Sequence, residues 1–416
     1  MLKLDDIRIC VIGLGYVGLP LARLFSTRYP TVGFDLKKER VEALMQGHDD
    51  TREVDDTLLQ EAIRGHGLRC TCREEAIRDC NVYIVAVPTP VDDNNRPDLQ
   101  PLVGASEVVG RAMAKGDIVI YESTVYPGVT EETCLPVVER VSGLRLNVDF
   151  FGGYSPERIN PGDKTHTVEN ICKVTSGSTP EAAELIDALY NSVLLNGTHR
   201  APSIKVAEAS KIIENSQRDV NIAFVNELAK IFNAMDIDTH DVLAAAASKW
   251  NFIPMQPGLV GGHCISVDPY YLIERSQLFG VLPRVMSNAR RLNNSMGNYV
   301  ANQTIRRMNL KGVPVKDSRI LILGYTFKEN CPDTRNTKVA DIYHTLREYT
   351  PHVSIYDPWV DCYSAQDILH STFDAAILAV AHDCFRLLDL RALVPQPGVI
   401  YDVKGGLPRD IVDARL

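Results

Sequence analysis

Val11-Ile-Gly-Leu-Gly-Tyr-Val-Gly18 is the stretch whose reading decides the fold. It ends an apolar run, Ile7 to Ile12, that is rich in β-branched residues, and it is followed by Leu19 to Phe25 at helical spacing. The glycines therefore fall on a strand-to-helix turn. In that context Gly13-x-Gly15-x-x-Gly18 is a dinucleotide-binding signature: the bare backbone can approach a pyrophosphate at the N-terminus of the helix. A second strand, Thr31 to Asp35, ends in a carboxylate placed to accept from the adenosine ribose hydroxyls. Asp35 also disfavours a 2′-phosphate, so NAD is expected over NADP. Arg40 stands against that preference if it meets a phosphate, but it can equally contact the ribose or the adenine.

Outward from this turn the pattern repeats. Val82–Val87, Ile118–Glu122 and Phe150–Tyr154 read as strands separated by helical stretches, which is the alternation of a doubly wound parallel sheet. From about Ser203 the pattern changes: Ser203 to Ala234 reads as one long helix and Pro283 to Met308 as another. After Gly312-Val313-Pro314 strands return at Arg319–Leu323, Val353–Asp357, Ala375–Ala381 and Val399–Asp402. The expected fold is α/β, with two Rossmann-like doubly wound parallel-sheet domains, 1–200 and 312–416, joined by a helical central domain, 201–311.

At 416 residues the chain is too long for one core. Its net charge of -9, with no long basic run, argues against nucleic acid and anionic membranes as partners. Ten cysteines lie scattered without zinc-site spacing or the density of a small disulfide scaffold. No metal site is expected, and a reduced, cytoplasmic setting fits. The first apolar run is broken by Gly13, Gly15, Gly18 and Arg23, and reads as neither signal peptide nor membrane span.

Gly261-Gly262-His263-Cys264-Ile265-Ser266-Val267-Asp268-Pro269 carries the second chemical signal. Glycines beside a thiol allow close approach of a substrate. A nicotinamide cofactor together with a reactive cysteine points to oxidation past the aldehyde: the thiol adds, hydride leaves, and water cleaves a thioester. Asp268 would position that water or cap the turn before Pro269. Lys211 and Asn215, four apart on the long helix, share a face and suit an oxyanion, although a solvated surface pair has the same spacing. Glu157 lies just past a strand end, where such sheets place ligands, as a base, a water-holder or a partner for Arg158. Lys328 and Lys404, at strand ends of the last third, suit a diphosphate.

Taken together, these segments resemble the UDP-glucose/GDP-mannose dehydrogenase family over essentially the whole chain. The resemblance rests on the Val11–Gly18 stretch, Glu122-Ser-Thr124, Ser155-Pro-Glu157, Glu208-Ala-Ser-Lys211 with Asn215, Gly-Gly-His-Cys264, and Gly324-Tyr-Thr-Phe-Lys328 with Asp333-Thr-Arg335. It implies double oxidation of C6 of a UDP-sugar with NAD. Cys264 would be the nucleophile, Lys211 and Asn215 the oxyanion stabilisers, and Asp268, Glu157 and Thr124 the water and proton groups. Cofactor contacts would come from Gly13, Gly15, Tyr16, Val17, Gly18, Asp35, Arg40, Thr89, Ser123, Thr124 and Arg335. Substrate contacts would come from Glu157, Arg158, Lys211, Asn215, Phe252, Gly258, Gly261, Lys328 and Lys404.

The runs Tyr154 to Asp163, Lys249-Trp-Asn-Phe252 and Pro257 to Cys264 are similar to the branch that oxidises UDP-N-acetylhexosamines (UDP-GlcNAc or UDP-GalNAc) for capsular and O-antigen polysaccharides. Gln256 stands where that branch would carry arginine, and Ser266 where it would carry glycine. UDP-glucose and UDP-ManNAc remain alternative substrates, and a homodimer or higher homo-oligomer is implied. A simple β-hydroxyacid dehydrogenase would lack the region after Pro314, and a non-catalytic NAD sensor would leave Cys264 no more reactive than the other thiols.

Overall fold

The computed structural model describes residues 2–92, 96–157, 167–262 and 264–416. They divide into two compact units: Met1–Glu214 with Tyr270–Phe279, and Asn215–Pro269 with Gly280–Leu416.

The first unit is built on an eight-stranded sheet. Its strands are β1 (Ile9–Ile12), β2 (Thr31–Phe34), β3 (Arg69–Thr71), β4 (Val82–Val85), β5 (Ile118–Tyr121), β6 (Phe151–Tyr154), β7 (Lys173–Gly177) and β8 (Thr198–Arg200). Their order is β3-β2-β1-β4-β5-β6-β7-β8. The first six run parallel; β7 is antiparallel to β6, and β8 is parallel to β7. Every residue of β1, β4 and β5 is buried, as near-continuous apolar strands must be when helices cover both faces. Alternate residues serve opposite cores. Ile9 and Val11 join Leu19 and Phe25 on one face, while Cys10 and Ile12 join Tyr83 and Tyr121 on the other.

The second unit carries a five-stranded, all-parallel sheet in the order β10-β9-β11-β12-β13. These strands are β9 (Ile320–Leu323), β10 (Val353–Tyr356), β11 (Ala375–Leu378), β12 (Val399–Asp402) and β13 (Ala414–Arg415). Met296, Val300 and Ile305 of one helix and Val339, Ile342 and Leu346 of another close its core over Ile320 and Ile322. The long helix, Ile204–Ala234, begins in the first unit and ends in the second.

Two expectations are corrected. The segment expected as one helix over Pro283 to Met308 is two, Arg284–Asn294 and Met296–Leu310. The Ser295 hydroxyl donates to the Leu292 carbonyl (2.7 Å), so a side chain competes with the helical ladder after two asparagines of low helix propensity. The sheet of the first unit is also not purely parallel, because β7 reverses; β3 and β8 have three residues each, too few to show a sequence period, and β7 (Lys-Val-Thr-Ser-Gly) has no apolar run. Among the described residues no helix is long and apolar enough to cross a membrane.

Candidate active site

The glycine turn follows β1 and opens the helix Gly18–Ser26. Gly13 has φ +91°, and a Cβ there would lie 2.9 Å from the Ala86 carbonyl oxygen. A Cβ on Gly18 would collide with the Gly13 carbonyl, whereas one on Gly15 would meet nothing within 4 Å. Gly13 and Gly18 are thus demanded by the chain's own packing, and Gly15 leaves an open cradle beside a helix N-terminus. Those features fit a bound dinucleotide. The cradle borders the crevice between β1 and β4, where the strand order reverses. Tyr16 and Val17 lie within the same turn.

Asp35 follows β2. Its carboxylate accepts from Leu14 N–H and Lys37 N–H, both at 2.9 Å, so it braces the glycine turn. Arg40 donates to the Leu14 carbonyl from Nε (3.0 Å) and Nη2 (2.9 Å), and from Nη2 to buried Asp49 (2.7 Å). These bonds occupy Nε and Nη2, whereas Nη1 is buried without a hydrogen-bond partner among the described residues.

Loops after β4 and β5 are tied together. Thr89 Oγ1 donates to the Thr124 carbonyl (2.8 Å) and Ser123 Oγ to the Val87 carbonyl (2.6 Å). Below them lies a buried ion pair that sequence reasoning missed: Lys173 Nζ to Glu122 Oε2 at 2.5 Å, with the Tyr190 hydroxyl donating to the other oxygen. Burial pushes the Glu122 carboxyl up, and the Lys173 charge opposes that shift. Lys173 also donates to the Pro156 carbonyl (2.9 Å), the residue before Glu157. Glu157 is buried, 4.0 Å from Lys211.

One turn before Lys211, Glu208 is buried and accepts from Gly128 N–H (2.5 Å) and Thr130 N–H (2.9 Å), anchoring the loop that follows Thr124. Burial raises its carboxyl to about 7. Sequence reading had it only as a letter of a motif; nothing local marks it as a loop anchor.

In the second unit, Gly262 has φ +81°, and a Cβ there would lie 2.9 Å from the Phe327 ring. Gly262 N–H donates to the Arg335 carbonyl (3.1 Å), and Asn336 Nδ2 to the Gly262 carbonyl (3.0 Å). A Cβ on Gly261 would lie 2.9 Å from the Asn336 carbonyl oxygen. Bare glycines thus let this strap lie flat on the 324–337 segment. His263 and Arg158 fall outside the described residues. Cys264 is partly exposed, and its carbonyl accepts from Val267 N–H (3.0 Å) and Asp268 N–H (2.8 Å). Asp268 opens the helix Asp268–Leu278 and accepts from Asn215 Nδ2 at 2.5 Å. Cys70 and Cys134, by contrast, are buried, and burial pushes each thiol up to about 12.

The loops after β9 and β12 line a shallow cleft with Leu259 and Gly261. Asp357 accepts from Tyr325 N–H (2.6 Å), Thr326 N–H (3.0 Å) and Trp359 N–H (2.8 Å), shaping the turn that carries Lys328. His382 Nδ1 accepts from Asn330 N–H (2.9 Å), which leaves the proton on Nε2 to donate to Asp357 (3.1 Å). Lys404 pairs with Glu329 at 3.1 Å, and Arg335 forks onto Asp333. Phe252 is partly buried and follows Trp250, which is 97% exposed.

Two Rossmann-like sheets, one with a glycine cradle and the other with paired cationic loops, define a nucleotide-dependent oxidoreductase. The chain belongs to the UDP-glucose/GDP-mannose dehydrogenase family: its NAD binding domain matches residues 7–194, its central domain 205–295 and its UDP binding domain 321–409. It is an NAD-dependent UDP-sugar 6-dehydrogenase. The chain is 54% identical to UDP-N-acetyl-D-glucosamine 6-dehydrogenase of Pseudomonas aeruginosa, over 99% of this chain and 100% of that one. It is 51% identical to the Salmonella typhi protein of the same name, over 100% of both. A solved UDP-D-ManNAc dehydrogenase from Pyrococcus horikoshii superposes with TM-score 0.91 at 30% identity, covering 98% of each chain.

Proposed function

We propose that this enzyme oxidises C6 of a UDP-N-acetylhexosamine, UDP-GlcNAc in the first place, to the uronate, with Cys264 as covalent nucleophile. The substrate assignment is supported by the two full-length relatives of that name. The single observation that carries the mechanism is the linkage of Asp268 to both the Cys264 carbonyl and the Asn215 amide, on the helix whose same face carries Lys211.

NAD⁺, when bound, accepts hydride from C6 in each oxidation. Lys211 and Asn215 stabilise the oxygen of the aldehyde and of the thiohemiacetal formed when Cys264 Sγ adds to C6. Loss of the second hydride leaves a thioester. Water held by Asp268, with Glu157 and Thr124, attacks the carbonyl carbon; the C–S bond breaks and Cys264 recovers its proton. One sugar alcohol, two NAD⁺ and one water thus give one carboxylate, two NADH and three protons.

Lys328 and Lys404 face the diphosphate in this reading, and binding there displaces Glu329 from Lys404. Phe252, Gly258 and Gly261 line the sugar. Arg335 is assigned to the cofactor. Residues 1–200 hold NAD, 201–311 the cysteine and oligomer contacts, and 312–416 the UDP-sugar. The uronate product suits a cytoplasmic supply of acidic sugar donors for capsular or O-antigen polysaccharide.

The test is product analysis with UDP-GlcNAc, UDP-GalNAc, UDP-ManNAc and UDP-glucose, counting NADH per sugar. Wild type should release two NADH per uronate from UDP-GlcNAc. Cys264→Ala should stop at about one, with aldehyde retained. A Cys264→Ala enzyme that forms uronate at near wild-type rate overturns the covalent route.

A further inference from the structure

One face of the long helix is buried and polar. Lys211, Asn215, Asp219 and Asn226 follow one another at helical spacing on a single stripe, and Asp219 and Asn226 are 0% exposed. The reaction steps above use the first two and leave the last two without a task. Asn226 grips Gly258 as a neighbouring strand would: its Oδ1 accepts from Gly258 N–H (2.8 Å), and its Nδ2 donates to the Gly258 carbonyl (3.0 Å).

Nδ2 also donates to Asn293 Oδ1 (2.9 Å). Asn293 Nδ2 in turn donates to the Asp219 carbonyl (3.0 Å) and carboxylate (2.7 Å), and Arg290 Nη1 donates to the same carboxylate (2.5 Å). With its amide nitrogen held by Asp219, Asn293 must turn its oxygen to Asn226. That orientation fixes which end of the Asn226 amide meets each group of Gly258. Four buried polar side chains are an expensive way to pack a helix that leucines would pack as well.

Gly258 begins the strap that ends at Cys264. The strap is held again at Gly262, from the 324–337 segment, and just beyond the cysteine at Asp268, by Asn215.

We infer that Asn226 is a positioning residue for the second oxidation: oriented by Asn293, Asp219 and Arg290, it holds Gly258 so that the strap presents Cys264 to the aldehyde. This rests on the reading of Cys264 as nucleophile. A misplacement of about 1 Å costs on the order of a hundredfold in rate. In a single turnover of the full-length enzyme with saturating UDP-GlcNAc and NAD⁺, Asn226→Leu should therefore release the first NADH at close to the wild-type rate. The second should come roughly 10- to 100-fold more slowly. The KM for NAD⁺ should not move.

Asn226→Asp keeps the shape and the acceptor but loses both donors, and should show the same split if Asn226→Leu fails to fold. Equal slowing of both phases, as a purely structural role would give, or two unchanged phases overturns the inference. Failure of the underlying reading shows elsewhere: wild-type and Cys264→Ala enzymes would then give the same second phase.

Discussion

At the scale of single residues, Asp35 does two jobs that pull a mutational experiment in opposite directions. We propose that its charge faces the position of a ribose 2′-phosphate, where two like charges would repel by about 1–4 kcal/mol. Its oxygens also accept from the Leu14 and Lys37 amides, so the carboxylate holds the glycine turn. Asp35→Ser should accordingly narrow the preference for NAD⁺ over NADP⁺ by about tenfold or more while lowering kcat/KM with NAD⁺ itself. Wild-type activity with NADP⁺ equal to that with NAD⁺ would refute the charge argument. Arg40 gives Nε and Nη2 to the Leu14 carbonyl and Asp49, which ties its side chain to the glycine turn that Asp35 also braces. Its spacing from Asp35 was legible in the sequence; its partner, Asp49, was not, since nothing local marks that aspartate as buried.

At the scale of elements, the long helix is an organiser. Glu208 fixes the loop after Thr124, Lys211 meets Glu157, Asn215 holds Asp268 and Asn226 holds Gly258. Glu208 makes this testable by pH. Burial raises its carboxyl from 4.5 to about 7. Stability from a raised carboxyl is complete below the unfolded value and is lost as pH rises through the folded one, here a window from 4.5 to about 7. The loss is on the order of 3 kcal/mol. Glu208→Gln removes the ionisation, at the cost of setting an amide NH₂ against the N–H of Gly128 or Thr130, a penalty that does not change with pH. In urea unfolding it should gain on the wild type by roughly that amount between about pH 5 and 8. A difference that is flat across the window would show that Glu208 titrates normally. The helix as an element was plain from its sequence length and spacing. Its buried polar face was not, because Asn and Asp on a helix read as solvent-facing until packing says otherwise.

At the scale of the whole molecule, the second unit exposes large apolar side chains on neighbouring helices. Phe224 is 58% and Val285 68% exposed, beside a groove also lined by Val220 and Leu292. We propose a second copy of the chain as the occupant, in keeping with the homo-oligomer expected from the family. Phe224→Glu should lower the mass measured by light scattering to that of a monomer. A monomeric wild type at micromolar concentration, or an unchanged mass in the variant, would count against this face.

What the sequence determined by itself was everything that depends on short-range order. A strand, Gly13-x-Gly15-x-x-Gly18 and a helix define a nucleotide turn because close backbone approach and an open helix end are local properties. Continuous apolar strands alternating with helices define a parallel sheet because both its faces must be covered. Only tertiary structure decided which polar groups meet. The reversal of β7, the Glu122–Lys173 pair and the chain from Arg290 through Asp219 and Asn293 to Asn226 and Gly258 join residues far apart in the sequence. A buried hydrogen bond has no sequence period. Its partners are chosen by the cost of leaving either one unsatisfied once packing has removed the water.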